Sequence, residues 1–154
     1  LPRYGITGSE QQAKKRNTLV GLAVNAGADY IAFFDDDDMP GENYIQKQME
    51  VVDSGLDCGS LWGDIYWSGK KGKPFHHFLD CKEWWEDDLY YYRCINHLNC
   101  VKLSLMKQIP FPEQDFGEDG VQSMDLKNSG LLKTEYKIDE VIYHYFAGNP
   151  KHEI

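Results

Sequence analysis

The chain of 154 residues has no long apolar run: nothing in it approaches the roughly 18–20 consecutive apolar residues that cross a bilayer. No signal-peptide pattern is visible, and a cytoplasmic setting is expected. Cysteine is sparse. Cys58, Cys81, Cys94 and Cys100 match no common disulfide framework or zinc ribbon, and Cys94-x-x-His97-x-x-Cys100 has only a loose zinc-like spacing. Free, partly buried thiols are the expectation. Positive charge is also scarce. Sixteen Lys and Arg stand against 25 Asp and Glu, a formal net charge of −9. Such a surface repels nucleic-acid phosphates and anionic membranes, so a general nucleic-acid role is not expected. An anionic ligand bridged by a divalent metal remains open. No internal repeat, linker or low-complexity segment divides the chain, so one domain over residues 1–154 is expected. The chain starts at Leu1 without Met, and an N-terminal part is expected to be missing.

Aromatic residues, in contrast, make up 14% of the chain, with ten Tyr and four Trp, enough for some to line a pocket rather than fill a core. The segment IAFFDDDDMP, residues 31–40, runs four apolar residues straight into Asp35, Asp36, Asp37 and Asp38. Ahead of it, Ser9 with Gln12 reads as a capping box opening a helix over residues 10–25, with Ala13, Val20, Ala23 and Val24 as its apolar stripe and Gly27 as its stop. Residues 30–34 read as a continuously apolar strand covered on both faces, as in an α/β sheet. Pro40 can open a second helix with Ile45, Met49 and Val52 facing inward. Residues 56–67 read as a strand, 68–73 as a polar turn and 74–80 as the returning strand of a hairpin. Residues 81–99 show no clean period. A short strand and short helix follow, stopped before Pro110, then a helix over residues 118–128 ended by Gly130, then an extended segment over 133–146.

The aspartates thus lie at the carboxyl end of a strand, where ligands bind in open α/β sheets. Hard divalent cations prefer oxygen ligands, and carboxylates on a rigid strand end offer them. Along an extended chain Asp35 and Asp37 would share one side and Asp36 and Asp38 the other. One pair could face a metal and a ligand while the other serves backbone or caps the next helix. The plainer alternative is a solvated acidic turn favouring a helix N-terminus, and Glu118-Asp119 admits the same alternative. Trp62, Trp67, Trp84 and Trp85 are candidates for lining a pocket, with at least two expected in the core. Lys14, Lys15 and Arg16 form a small basic cluster or a wet helix face.

The run RNTLVGLAVNAGADYIAFFDDDDMP resembles the centre of a GT-A glycosyltransferase, most like family 2. There an Arg-Asn helix is followed by Ala and Gly and by an apolar strand ending in Asp-x-Asp-Asp. In this chain these are Arg16, Asn17, Gly27 with Ala26 or Ala28, and Asp35 to Asp38. FPEQDFGEDGVQSMDLKNSG is similar to the family's acceptor-side segment, and IDEVIYHYF to the strand that follows it. The resemblance covers residues 10–147, and the order of these segments is similar to that in small phage- and virus-type members. The setting would then be the cytoplasm of the host cell. Family members carry a strand, helix, strand and helix before the Arg-Asn helix. The resemblance therefore implies an α/β GT-A fold, a mixed sheet flanked by helices, that is N-terminally truncated.

It also implies a hexosyltransferase-type function: a metal-dependent, inverting transfer from a nucleotide-diphosphate sugar to an acceptor hydroxyl of a carbohydrate or glycan. Mn²⁺ or Mg²⁺ would sit at the DXD motif, with Asp37 as main ligand and Asp35, Asp38 and His144 as further candidates. Arg16, Asp35 and Asp36 would lie on the nucleotide-sugar side, Asp36 also serving the fold. Asp119 would be the general base and Glu118 its neighbour. Arg16 reads equally as a helix Arg paired with nearby acids, and His144 as a packed core histidine. The alternative function is a non-catalytic, truncated GT-A-like domain that binds carbohydrate or a protein partner through its aromatic surface. A metal-dependent phosphotransfer or nuclease site is a third, disfavoured by the acidic net charge.

Overall fold

The structure, a computed structural model, describes residues 9–114 and 116–148, with side chains from Gln11 onward. The capping interaction expected at Ser9 lies outside the described side chains. The described chain is α/β, with two mixed sheets flanked by helices. Its elements run in the order α1 (Ser9–Asn25), β1 (Tyr30–Ile31), β2 (Met39–Pro40), α2 (Tyr44–Ser54), β3 (Cys58–Gly59), β4 (Leu61–Trp67), β5 (Lys70–Lys71) and β6 (Phe75–His77). There follow β7 (Trp85–Glu86), β8 (Tyr91–Arg93), β9 (Val101–Lys102), α3 (Leu103–Met106), α4 (Glu118–Ser129), β10 (Glu135–Tyr136) and β11 (Val141–Ala147).

One sheet has the order β1-β9-β3-β10, the other β2-β11-β4-β6-β8-β7, with β5 turned back on β4. The expected strand over residues 56–67 is therefore two strands in two sheets, broken at Ser60. The break is held from both sides, since Ser60 N–H donates to Tyr136 O at 2.9 Å and Ile138 N–H donates to Ser60 Oγ at 2.8 Å. The parallel pairing of β4 with β11 forms the centre of the larger sheet, and the β4–β6 hairpin lies where the turn residues put it.

Alternation sorts the larger sheet into two faces. Leu61, Ile65, Phe75, Tyr143 and Ala147 point to the main core, which α2 covers with Tyr44 and Val51. Each such apolar side chain, once buried, contributes about 1.5–3 kcal/mol. The other face carries Trp62 stacked on His76 at 3.8 Å and Trp85 stacked on Tyr92 at 4.2 Å. None of the four Trp is fully buried. Trp67 and Trp85 are exposed and Trp62 and Trp84 half-buried, which corrects the expectation that at least two fill the core.

Two further expectations change. Strand β1 is shorter than residues 30–34 and pairs only with β9 among the described residues, so Ala32 and Phe34 are exposed rather than covered on both faces. Helix α2 starts at Tyr44, while Pro40 belongs to β2 opposite Tyr143. Its buried positions are Tyr44, Gln48 and Val51, whereas Ile45 is 70% and Met49 49% exposed. The stripe i, i+4, i+7 is set by Val51, whose side chain fills the space over Gly59.

Glycine at position 63 is a packing requirement. A Cβ there would meet the Phe75 ring at 2.0 Å, so Phe75 lies flat on the β4 backbone. Gly63→Ala is expected to lower stability by about 1–3 kcal/mol by overpacking, read as a lower urea midpoint at unchanged slope. An unchanged midpoint would contradict the close approach.

Candidate functional site

Helix α1 brings Arg16 and Asn17 onto its inner face. Asn17 clamps a single residue: its Nδ2 donates to Phe111 O and its Oδ1 accepts from Phe111 N–H, each at 2.9 Å. Ala13, Phe33 and Phe111 form a small apolar cluster beneath the helix. Arg16, with its side chain 11% exposed, reaches past that cluster to two carboxylates. Nη1 donates to Glu118 Oε1 at 2.8 Å and Nη2 to Asp35 Oδ1 at 3.4 Å. The end of the strand and the start of α4 are thus tied through one guanidinium. Arg16 pairs with acids, as one alternative has it, but from a buried rather than an exposed position.

The four aspartates do not continue as an extended chain. Asp38 N–H donates to Asp35 O at 3.2 Å, closing a turn, so strand alternation does not apply to them. Asp35 and Asp38 face inward, while Asp36 and Asp37 are exposed. Asp38 is committed to the protein: Tyr143 Oη–H donates to Oδ2 at 2.6 Å and Phe146 N–H to Oδ1 at 3.0 Å. Burial raises its pKa against these two bonds, and the neighbouring Asp37 and Asp35 add to the rise. The fold-serving role expected of Asp36 therefore falls to Asp38, whose oxygens are both occupied. Burial alone would also raise Asp35, but His97 and Arg16 outweigh it and hold this carboxyl below its ordinary value.

Asp119 and Glu118 divide similarly. Glu118 is buried and held by Arg16, while Asp119 is half-buried and lines a cavity of about 270 Å³ that Asp35 also lines. Asp119 Oδ1 accepts from Gly120 N–H at 2.8 Å. Trp84, Tyr91, Arg93, His97 and Tyr145 are further walls of that cavity. Trp84 is fixed on α4 by its Nε1–H bond to Ser123 Oγ at 3.2 Å. His144 lies elsewhere. Its Nδ1 is 3.8 Å from Asp64 Oδ2 and its ring meets that of Tyr66, on the sheet face opposite Tyr143 and Tyr145. The structure brings Arg16, Asp35, Glu118 and Asp119 together, leaves Asp36 and Asp37 at the rim, and does not bring His144 to them.

His97 is the residue that the sequence did not single out for this site. An Asn99 knot positions it: Asn99 Nδ2 donates to Gly59 O at 2.8 Å, and Oδ1 accepts from Asn96 N–H at 3.1 Å. His77 Nδ1 lies 3.0 Å from the same Oδ1 and must donate, since Asn99 presents only its oxygen there. His97 O accepts from Phe33 N–H at 2.9 Å, so this loop also supports the strand leading to the aspartates. The imidazole, 4% exposed, points Nε2 at Asp35 Oδ2 from 3.6 Å. The sequence signal is the pattern Asn96-His97-x-Asn99, in which two Asn organise a polar turn around one His.

Among the described residues, no three His, Cys, Asp or Glu side chains are arranged to hold a metal between them. Asp35 and Asp37 are carboxylates, the donor type that hard cations take, one facing inward and one exposed at the rim. All four cysteines are free and buried. Among the described residues no helix is long and apolar enough to cross a membrane. Comparison with family models, with curated proteins and with solved structures finds no match for this chain.

Two predictions follow from this geometry. Arg16→Met leaves Glu118 buried without its partner and is expected to cost about 3–5 kcal/mol in urea unfolding. Adding Glu118→Gln should recover part of that cost, and strictly additive losses would contradict a direct pair. Burial pushes His77 down to about 3 from an ordinary 6.5. Its stabilising contribution is complete above pH 6.5 and is lost as pH falls toward the folded value, at up to about 1.4 kcal/mol per unit. His77→Gln should flatten the pH dependence of unfolding between pH 6 and 4. An unchanged slope would show that His77 does not take up the proton.

Proposed function

We propose that the protein is a metal-dependent, inverting glycosyltransferase of GT-A type, acting on a nucleotide-diphosphate sugar and an acceptor hydroxyl. The observation that supports this most is that Asp35 and Asp119 line one cavity, while Arg16 ties Asp35 to Glu118 beside it. A strand-end acid and a helix-start acid, far apart in sequence, thus face one space of about 270 Å³, the scale of one sugar ring.

Mn²⁺ or Mg²⁺ would be held by Asp37 and Asp35 and, when bound, would supply charge stabilisation for the departing diphosphate. Asp35 suits this because it is kept ionised, whereas Asp38 is bound to Tyr143 and Phe146. Arg16 adds positive charge behind Asp35 and fixes its carboxylate. The acceptor oxygen attacks the anomeric carbon as the bond from that carbon to the diphosphate oxygen breaks. The bonding pair leaves with the diphosphate, and attack from the opposite side inverts the centre. Asp119 takes the hydroxyl proton, and Glu118, engaged by Arg16, is a positioning residue. Cytoplasmic placement accords with four free thiols.

A second reading, a non-catalytic binder of carbohydrate or protein, draws support from the stacked outer face that includes Trp62, His76, Tyr92 and Trp85. It predicts sugar or partner binding insensitive to EDTA.

Thermal unfolding with Mn²⁺ and UDP, GDP or dTDP compounds separates the two. The transferase reading expects one nucleotide to raise Tm by several degrees only with metal, and Asp37→Ala to remove the rise. Asp119→Asn should leave that rise intact and slow sugar transfer by about 10²–10⁴-fold. No shift with any metal–nucleotide pair would refute the transferase.

A further inference from the structure

The cavity between Asp35 and Asp119 contains two polar groups that the proposed transfer does not use. His97 is one: its side chain is 4% exposed, its Nε2 faces Asp35 Oδ2 at 3.6 Å, beyond hydrogen-bond distance, and its Nδ1 has no hydrogen-bond partner among the described residues. A buried imidazole nitrogen left unpaired is costly unless a ligand supplies the bond. Arg93 is the other. Its Nη1 donates to the carbonyls of Trp85 at 3.3 Å and Tyr92 at 2.9 Å, and its guanidinium lies 4.9 Å from the Trp84 ring centre and 5.6 Å from that of Tyr91. None of the ion pairs among the described residues includes Arg93. Burial works against its charged form, with only more distant acids such as Glu86 and Asp119 in compensation.

The carboxylates on the same cavity offset this only in part. Asp35 is matched by Arg16, and Asp119 has Oδ1 engaged by its neighbour's amide. The cavity, at about 270 Å³, is near the lower end of small-molecule sites, which run about 300–1,000 Å³. That suits one saccharide ring better than two. Trp84 and Tyr91 line the cavity, Lys73 Nζ lies 4.3 Å from the Tyr91 ring centre, and Arg93, stacked on both rings, offers its remaining N–H groups in a planar fork suited to an oxyanion.

Resting on the transferase reading, we propose that this cavity selects an acceptor sugar bearing an anionic group, a carboxylate or phosphate, which Arg93 pairs while His97 bonds a ring hydroxyl. The acceptor is then an acidic saccharide, a substrate that an acidic protein would repel without a dedicated cation.

Binding to the full chain in EDTA tests this without any donor or metal. Titration of glucuronate, glucose 6-phosphate and glucose, followed by ligand-observed NMR, should show an anionic sugar bound at least about tenfold more tightly than glucose. Comparing the two anions identifies the group. Arg93→Gln should abolish that preference, Arg93→Lys should retain part of it, and His97→Gln should weaken both anionic and neutral sugars. If Arg93→Gln does not fold, the preference of the unaltered protein and its loss in 0.5 M NaCl still decide. Equal binding of glucose and the anions, or a preference unchanged in Arg93→Gln, overturns the proposal. So does displacement of the anionic sugar by UDP in EDTA, since the cation would then belong to the donor. The metal-dependent nucleotide shift tests the transferase separately, so failure of one reading is distinguishable from failure of the other.

Discussion

A single buried guanidinium organises this molecule. Arg16 extends from α1 to carboxylates on two other elements, Asp35 after β1 and Glu118 at the start of α4. Without it, two acids would approach each other in partly dry surroundings, and like charges there repel strongly. With it, both carboxylates are paired and held in fixed positions. The apolar cluster under α1 is small, so much of the helix's orientation comes from this ion pair and from the Asn17 clamp on Phe111.

The aspartate run shows how one sequence feature can be divided by a turn. Closing the chain between Asp35 and Asp38 turns these two inward and leaves Asp36 and Asp37 at the surface. Asp38 then serves as an anchor for β11 through Tyr143 and the amide of Phe146. Tyr143 is fully buried in the main core, so the acidic turn is fastened to the core face of the sheet. A flexible acidic loop would lose conformational freedom on gathering a cation, whereas this one has much of its arrangement already made.

Much of the architecture was legible in the sequence where local chemistry decides it. Gly130 ends α4, the polar turn after Trp67 closes the β4–β6 hairpin, and α1 runs where its residues place it. The resemblance to glycosyltransferases is carried only by sequence, and the convergence of Asp35 with Glu118 and Asp119 is a separate observation. What was not legible depends on partners distant in the chain. The inward face of α2 is chosen by the space over Gly59 rather than by hydropathy, which is why Gln48 is buried and Ile45 exposed. Strands β7 and β8 lie in a segment without period because stacked rings and Arg93, rather than alternation, hold them. His97 was hidden because its position follows from the Asn99 knot, whose partners at Gly59 and His77 come from two other strands.

Helix α1 leaves Leu19, Leu22 and Val24 exposed, while its inner side is fastened largely by polar contacts. Elements with few apolar contacts open at lower free energy than the core. Helix α1 is therefore the part of the molecule suited to detach as a unit, with amides that would exchange ahead of those in β4 and β11. Detachment would withdraw Arg16 from Asp35 and Glu118 together. Local order at one helix and the charge balance of the cavity are thus a single cooperative property, and a ligand that holds Asp35 in place would steady a helix it never touches.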